Sequence, residues 1–193
     1  MKWIIIAGIG NAESKYNNTK HNIGFRILDS LAKSRNEEWK KFKKAGKFIV
    51  FKSRPNNIIL FKTASFMNNS GKDLIEIMDY FNIPTDSLFL IHDEKGLPLA
   101  WIKYSYNVGH NGHKGVANVI HMMQSKEFMR GRFGIGNPFN NQTLEQYVLS
   151  PFPKQVKTKI TKAVLKMTND LNNFILHQDF NKLQNECNEK ADY

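Results

Sequence analysis

Cysteine is nearly absent from this chain of 193 residues, with Cys187 standing alone near its end. One thiol builds neither a disulfide framework nor a cysteine-based zinc site within a single chain, so we expect a reducing, cytoplasmic setting. Long apolar runs are missing as well. No stretch approaches the roughly 20 residues of a membrane-spanning helix, the mean hydropathy is -0.48, and we expect no integral membrane role. The opening Trp3-Ile4-Ile5-Ile6-Ala7 is interrupted by Gly8 and Gly10 and followed by polar Asn11, Glu13 and Lys15 without a small-residue cleavage site. It reads as a buried strand rather than a secretory leader. No internal repeat and no linker rich in Pro, Gly or Ser divides the chain, and its length suits one well-filled core, so we expect one domain over 1–193.

Acidic residues are scarce relative to basic ones: 17 Asp and Glu stand against 28 Lys and Arg, a formal net charge of +11. Such a balance points to a polyanionic partner. The plain alternative is a Lys-rich and Asn-rich composition inherited from an AT-biased genome. The distribution is uneven. Lys40, Lys41, Lys43, Lys44, Lys47 and Lys52 crowd one stretch and Lys154, Lys157, Lys159, Lys162 and Lys166 another, so two basic clusters could flank a phosphate-bearing ligand.

What is present is an alternation of strand and helix patterns. Runs rich in β-branched and aromatic residues predict strands at Trp3 to Ala7, at Phe48 to Phe51 paired with Ile58 to Phe61, and at Leu88 to Ile91. A more exposed strand is expected around Trp101, Tyr104 and Tyr106, and a late one at Phe133 to Gly136. Helical spacing joins Ile23, Ile27, Leu28 and Leu31, then Leu74, Ile77, Met78 and Phe81, then Val116, Val119, Ile120 and Met123. From Lys154 onward Val156, Ile160, Val164, Met167, Leu171, Phe174 and Ile175 predict a long amphipathic helix with a basic outer face. The class is α/β, and the Arg54-Pro55-Asn56-Asn57 turn implies a twisted sheet of mixed rather than purely parallel strands.

Candidate chemistry gathers where predicted strands end. Gly8-Ile9-Gly10-Asn11-Ala12-Glu13 follows a strand but has Glu13 where a dinucleotide-binding turn needs its third glycine, so a Rossmann cofactor site is not expected. Asn11 and His21 share the loop that follows. Asp93 lies just beyond another predicted strand, in His92-Asp93-Glu94. An Asp placed there can accept from Nδ1–H of a histidine, leaving Nε2 free to take a proton from water; the alternative makes Asp93 and Glu94 solvated turn residues. Asn68 is either a ligand-facing amide or a helix cap. His110 and His113 invite a metal, but without cysteine support and with few acids nearby we expect none, and the glycines of Gly109 to Gly115 would instead let backbone N–H groups approach a ligand.

These residues fall into patterns that resemble bacterial peptidyl-tRNA hydrolases: G-I-G-N-x-x-x-x-Y-x-x-T-x-H-N-I-G-F (Gly8 to Phe25), F-M-N-x-S-G-K (Phe66 to Lys72), H-D-E-x-x-L-P (His92 to Pro98), G-H-x-G-H-x-G (Gly109 to Gly115), F-x-R-x-R-F-G-I-G (Phe128 to Gly136) and Y-V-L (Tyr147 to Leu149). The resemblance implies a monomeric, cytoplasmic esterase without metal or cofactor that releases tRNA from peptidyl-tRNA left by aborted translation. By matching position, His21 would be the general base, Asp93 its orienting carboxylate, and Asn11 and Asn68 the residues that grip the peptide and the ester. His113 would shape the product side, Tyr16 would contact the terminal nucleotide, and Phe66 and Lys114 would belong to the substrate-binding set. Lys103, Arg130 and Arg132 would meet the tRNA backbone.

The chain departs from the family pattern at four points: Ala12-Glu13 where Pro-Gly is usual, Gly96 for an acidic residue, Lys114 for Asn, and Gly131 for Leu. Lys114 either donates to the substrate as an ammonium or points into solvent. A non-catalytic RNA-binding relative of the same fold is the rival reading. Retention of Asn11, His21, Asn68, Asp93 and His113 together speaks against it, and a small-molecule esterase would not need a +11 charge.

Overall fold

The computed structural model describes residues 2–138 and 142–188. Its centre is a mixed seven-stranded sheet in the order β2-β3-β4-β1-β5-β7-β6, with β1 at Trp3–Gly8, β2 at Lys40–Phe42, β3 at Gly46–Phe51, β4 at Asn57–Thr63, β5 at Leu88–Glu94, β6 at Ile102–Tyr106 and β7 at Met129–Gly134. β1 pairs in parallel with β4 and β5, and β5 with β7. β2, β3 and β4 run antiparallel to one another in turn, as does β6 to β7. The expected hairpin and the mixed sheet are both present.

Alternation along the strands divides the core in two. Ile6, Ile58, Leu60, Phe89 and Ile91 face α1 (Ile23–Ser34), α5 (Lys157–His177) and α6 (Phe180–Asn188), while Ile5, Ala7, Ile59, Phe61 and Leu90 face α2 (Ser70–Phe81) and α3 (Lys114–Met123). A short α4, Leu144–Val148, precedes the C-terminal helices. The central strands are buried on both sides, which is why they read as continuous apolar runs. The long helix expected from Lys154 begins with a 3₁₀ turn at Lys154–Val156, and its apolar stripe from Ile160 to Ile175 is buried. No helix among the described residues is long and apolar enough to cross a membrane.

Two sequence expectations need correction. The β6 edge is exposed only in part: Lys103 and Tyr106 face solvent as expected, whereas Tyr104 is fully buried and its hydroxyl donates to Asp170 at 3.0 Å. The late strand runs from Met129 to Gly134, beginning four residues before its expected start and ending two before its expected end. Gly131 has a steric reason, since a Cβ there would lie 2.5 Å from Met167 Cε and 2.6 Å from Ile91 Cδ1. Met167 and Ile91 occupy the space that a leucine would take.

The register places the carboxyl ends of β1, β4, β5 and β7 on one rim of the sheet, together with the amino-terminal ends of the antiparallel β3 and β6. Loops on that rim carry the ligand in open α/β sheets.

Candidate active site

α1 sits close against the rim because Gly24 carries no side chain; a Cβ there would lie 2.6 Å from the Ile91 carbonyl oxygen. The 3₁₀ turn Lys20–Asn22 just before α1 is thereby held over the end of β5. Lys20 fastens it from the other side. Its buried ammonium donates to Ser150 Oγ at 2.7 Å and to the Pro151 carbonyl at 2.9 Å, and it lies 4.2 Å from the centre of the Tyr147 ring. Burial pushes its pKa down from the usual lysine value. These contacts bring His21 onto Asp93.

His21 Nδ1 donates to Asp93 Oδ1 at 2.8 Å, and His113 Nε2 donates to the same oxygen at 2.8 Å. The two rings lie 4.7 Å apart between centroids. His113 is the N-cap of α3, and its Nδ1 accepts the Val116 N–H at 3.2 Å, so its proton sits on Nε2. His21 places its proton on Nδ1, and its Nε2, without a protein partner among the described residues, is left for the cleft. Burial opposes ionisation of Asp93, but the positive N–H edges of the His21 and His113 rings, each donating to Oδ1, outweigh it and hold the carboxyl well below the usual carboxylate range.

A second buried layer supports this carboxylate. His92 Nδ1 donates to the Asp93 carbonyl at 2.7 Å, and Arg130 Nη1 donates to His92 Nε2 at 3.4 Å. Burial, then His113 and Arg130, push His92 well below the usual histidine range, so it stays neutral.

Asn11 is fixed at three atoms. Its N–H donates to Asn22 Oδ1 and its carbonyl accepts from Asn22 Nδ2, both at 2.9 Å, while its own Oδ1 accepts the Met67 N–H at 2.8 Å. Its Nδ2 has no partner among the described residues. Ala12-Glu13 in place of Pro-Gly therefore leaves Asn11 locked, because Asn22 and Met67 supply the restraint.

Asn11, Tyr16, His21, Phe66, Asn68, Asp93, His113 and Lys114 all line one cleft of about 580 Å³. Phe66 is exposed there. Asn68 lies in the 3₁₀ turn Met67–Asn69 and caps nothing: the N-cap of α2 is Asn69, which makes no side-chain cap bond. Lys114 extends to Glu145 at 3.5 Å on an exposed rim. Of the loop glycines, Gly112 has its amide engaged within the loop, and Gly115 is needed for close packing. Gly112 N–H donates to His110 Nδ1 at 3.1 Å, and Gly115 packs so closely that a Cβ would lie 2.4 Å from Met67 Sδ. Gly96 leaves room for Asn111 Nδ2, which donates to Glu94 Oε1 at 2.7 Å.

Three predicted residues stand outside the cleft. Arg130 has 0% exposure: it stacks on Phe128 with its guanidinium 4.4 Å from the ring centre and donates to the Val108 carbonyl at 2.9 Å. It cannot meet tRNA. Arg132 directs Nε and Nη2 to Glu94 Oε2 at 3.2 and 3.1 Å and Nη1 to Ser105 Oγ at 3.3 Å. Lys103, opposite Arg132 in register, is exposed. His21, Asp93 and His113 offer three possible metal-ligand atoms within 4.8 Å of one another. Their hydrogen bonding suits a proton relay better: a cation at His113 Nε2 would force the proton onto Nδ1, against the Val116 N–H.

A family model described as Peptidyl-tRNA hydrolase matches residues 5–193. The chain belongs to the peptidyl-tRNA hydrolase family. It is 34% identical over 185 residues to the peptidyl-tRNA hydrolase of Oceanobacillus iheyensis, covering 96% of this chain and 99% of that one. It is 33% identical over 186 residues to that of Listeria monocytogenes, again covering 96% and 99%. The crystal structure of the peptidyl-tRNA hydrolase from Acinetobacter baumannii superposes with a TM-score of 0.88 at 24% identity, over 96% of this chain and 94% of that one, and so shares the fold. Sequence reasoning missed the family member's supports, Asn22, Lys20 and His92, since each depends on a partner distant in sequence or on the backbone.

Proposed function

We propose that this chain hydrolyses the ester joining the carbonyl of a peptide, or of an N-blocked aminoacyl group, to the terminal ribose hydroxyl of tRNA, using water activated by His21. The observation that carries the reading is the His21 Nδ1 to Asp93 hydrogen bond of 2.8 Å on a ring that lines the cleft. It orients the tautomer whose Nε2 can take the proton of a water attacking the ester carbon. Asn11 Nδ2, and Asn68 beside it in the lining of the cleft, are neutral donors suited to the oxyanion that develops, and they leave no positive charge to trap the carboxylate product. As the tetrahedral intermediate collapses, the ribose oxygen leaves with the proton held on His21 Nε2, while Asp93 stabilises the transient imidazolium. His113 is a positioning residue, since its Nε2–H fixes the same carboxylate oxygen.

The reaction as derived uses no metal or cofactor. The single cysteine is consistent with a cytoplasmic setting. Incubation with N-acetyl-aminoacyl-tRNA and with free aminoacyl-tRNA, with and without chelator, tests the reading. Selective release of tRNA from the blocked substrate, indifferent to chelator, is expected. Binding without release would favour the RNA-binding rival, and loss of release with chelator would overturn the metal-free step.

A further inference from the structure

A second recess of about 850 Å³ opens beside the cleft, between the start of α1 and the β2–β3 turn. The two share walls: Asn11 lines the cleft and Ala12 the recess, Tyr16 the cleft and Asn17 the recess. Asn22 lines the recess while holding Asn11. The recess lies on the catalytic rim, because Gly46 and Lys47 pair with Thr63 and Lys62, and Lys62 pairs with Gly8. Two strand spacings separate β3 from β1, about 10 Å.

The recess is strongly cationic. Its one acidic lining residue, Asp29, pairs with Lys62, whose ammonium also lies 4.5 Å from the centre of the Trp39 ring. Lys43 pairs with Glu76 at 3.4 Å. Lys41, Lys44 and Lys47 line the recess, are exposed and have no acidic partner among the described residues. In the wall, Thr63 is 3% exposed and its Oγ1 has no hydrogen-bond partner among the described residues. A buried hydroxyl without a partner is uncommon in folded proteins. Across the sheet Arg130 and Arg132 turn their guanidinium Nη donors to partners inside the protein, and Arg130 Nε, like Thr63 Oγ1, is buried without one among the described residues.

We propose that this recess binds the phosphate backbone of tRNA, as an RNA anchor on the opposite side of the reaction centre from Lys103. The inference rests on the peptidyl-tRNA hydrolase reading for its ligand. Lysines suit this role, as point charges that neutralise phosphates without reading sequence.

The test compares wild type with a Lys41→Gln/Lys44→Gln/Lys47→Gln triple variant and a matching triple Lys→Arg variant. Uncharged tRNA binding is titrated against salt, and turnover is measured on N-acetyl-aminoacyl-tRNA and on an N-acetyl-aminoacyl ester of adenosine. Each phosphate contact contributes about 0.7 to 0.9 to the log-log salt slope, so the Gln variant is expected to bind with a slope shallower by about 2 and the Arg variant with the wild-type slope. KM for the full substrate rises roughly tenfold or more in the Gln variant, while turnover of the adenosine ester is unaltered. An unchanged salt slope would overturn the proposal. Equal losses on both substrates would overturn it too, placing the effect at the ester or the peptide. Failure of wild type to hydrolyse either ester, with steep salt-dependent tRNA binding intact, would overturn the catalytic reading and leave the recess standing.

Discussion

On the β6–β7 flank of the sheet the two arginines turn inward, one stacked under Phe128 and one forked onto Glu94. On the β2–β3 flank Lys41, Lys44 and Lys47 stand in a recess with no acid to neutralise them. Both flanks look equally basic in the sequence. The difference is set by cover: Val108 and Phe128 close over Arg130, whereas the short β2–β3 turn leaves its lysines in solvent. A guanidinium tolerates such burial because it stacks and donates in a plane, while a strongly hydrated ammonium goes inside only where acceptors enclose it, as Ser150 and Pro151 enclose Lys20. Charge counted along a chain is therefore not charge presented to a ligand.

The largest effect expected from breaking this contrast is at Arg130. Arg130→Ala leaves the His92 Nε2 and Val108 carbonyl acceptors unpaired and opens a cavity on Phe128, so it should cost about 3 kcal/mol or more in urea unfolding. Its tRNA salt slope should match wild type. A flattened slope with unaltered stability would put Arg130 on the RNA surface after all.

The same buried layer predicts a pH dependence. The folded-state pKa of His92 lies well below its usual value of 6.5, so the unfolded chain binds a proton that the native one refuses. This contribution to stability is complete above about pH 6.5 and falls by about 1.4 kcal/mol per pH unit below it. Urea unfolding at pH 7 and pH 5 should show the loss in wild type and a smaller one in His92→Gln. Equal losses would mean that His92 protonates in the fold.

Lys103 sharpens the contrast. As the one predicted backbone contact on its flank left facing solvent, Lys103→Ala should flatten the salt slope by roughly 0.7 to 0.9, less than the recess variant. A drop of two or more would reverse the order of the flanks. The smallest effect is expected at Lys114, whose exposed pair with Glu145 has a typical value of about 0 to 1 kcal/mol. Lys114→Asn and Lys114→Ala should both turn over within about twofold of wild type, and a tenfold loss in the Ala variant alone would show a donor to the substrate.

The central strands were legible because burial on both faces leaves continuous Ile, Leu and Phe runs, and the longer helices because each buries one stripe, whereas β2, a three-residue Lys-Lys-Phe edge strand, and the short α4 and α6 carry too little pattern to be read. His21 and Asp93 were legible because they stand at strand ends that share a rim, although β5 runs on to Glu94 and so holds Asp93 inside the strand rather than just beyond it. Arg130 was not. It shares strand parity with Arg132, and only the packing of residues 108 and 128 decides which of the two is enclosed. Asn22 gave no signal of its own in the sequence, since its partner Asn11 lies a whole loop away. His113 was placed by resemblance on the product side, and only the tertiary contact reveals that it shares an oxygen of Asp93 with His21.

The role of His21 is tested most directly by His21→Ala on N-acetyl-aminoacyl-tRNA, with tRNA affinity measured alongside. Turnover should fall at least about 100-fold, the scale of general-base catalysis, while the tRNA dissociation constant stays within about twofold. A variant that kept most of its turnover would contradict the assignment of His21 as the group that activates water.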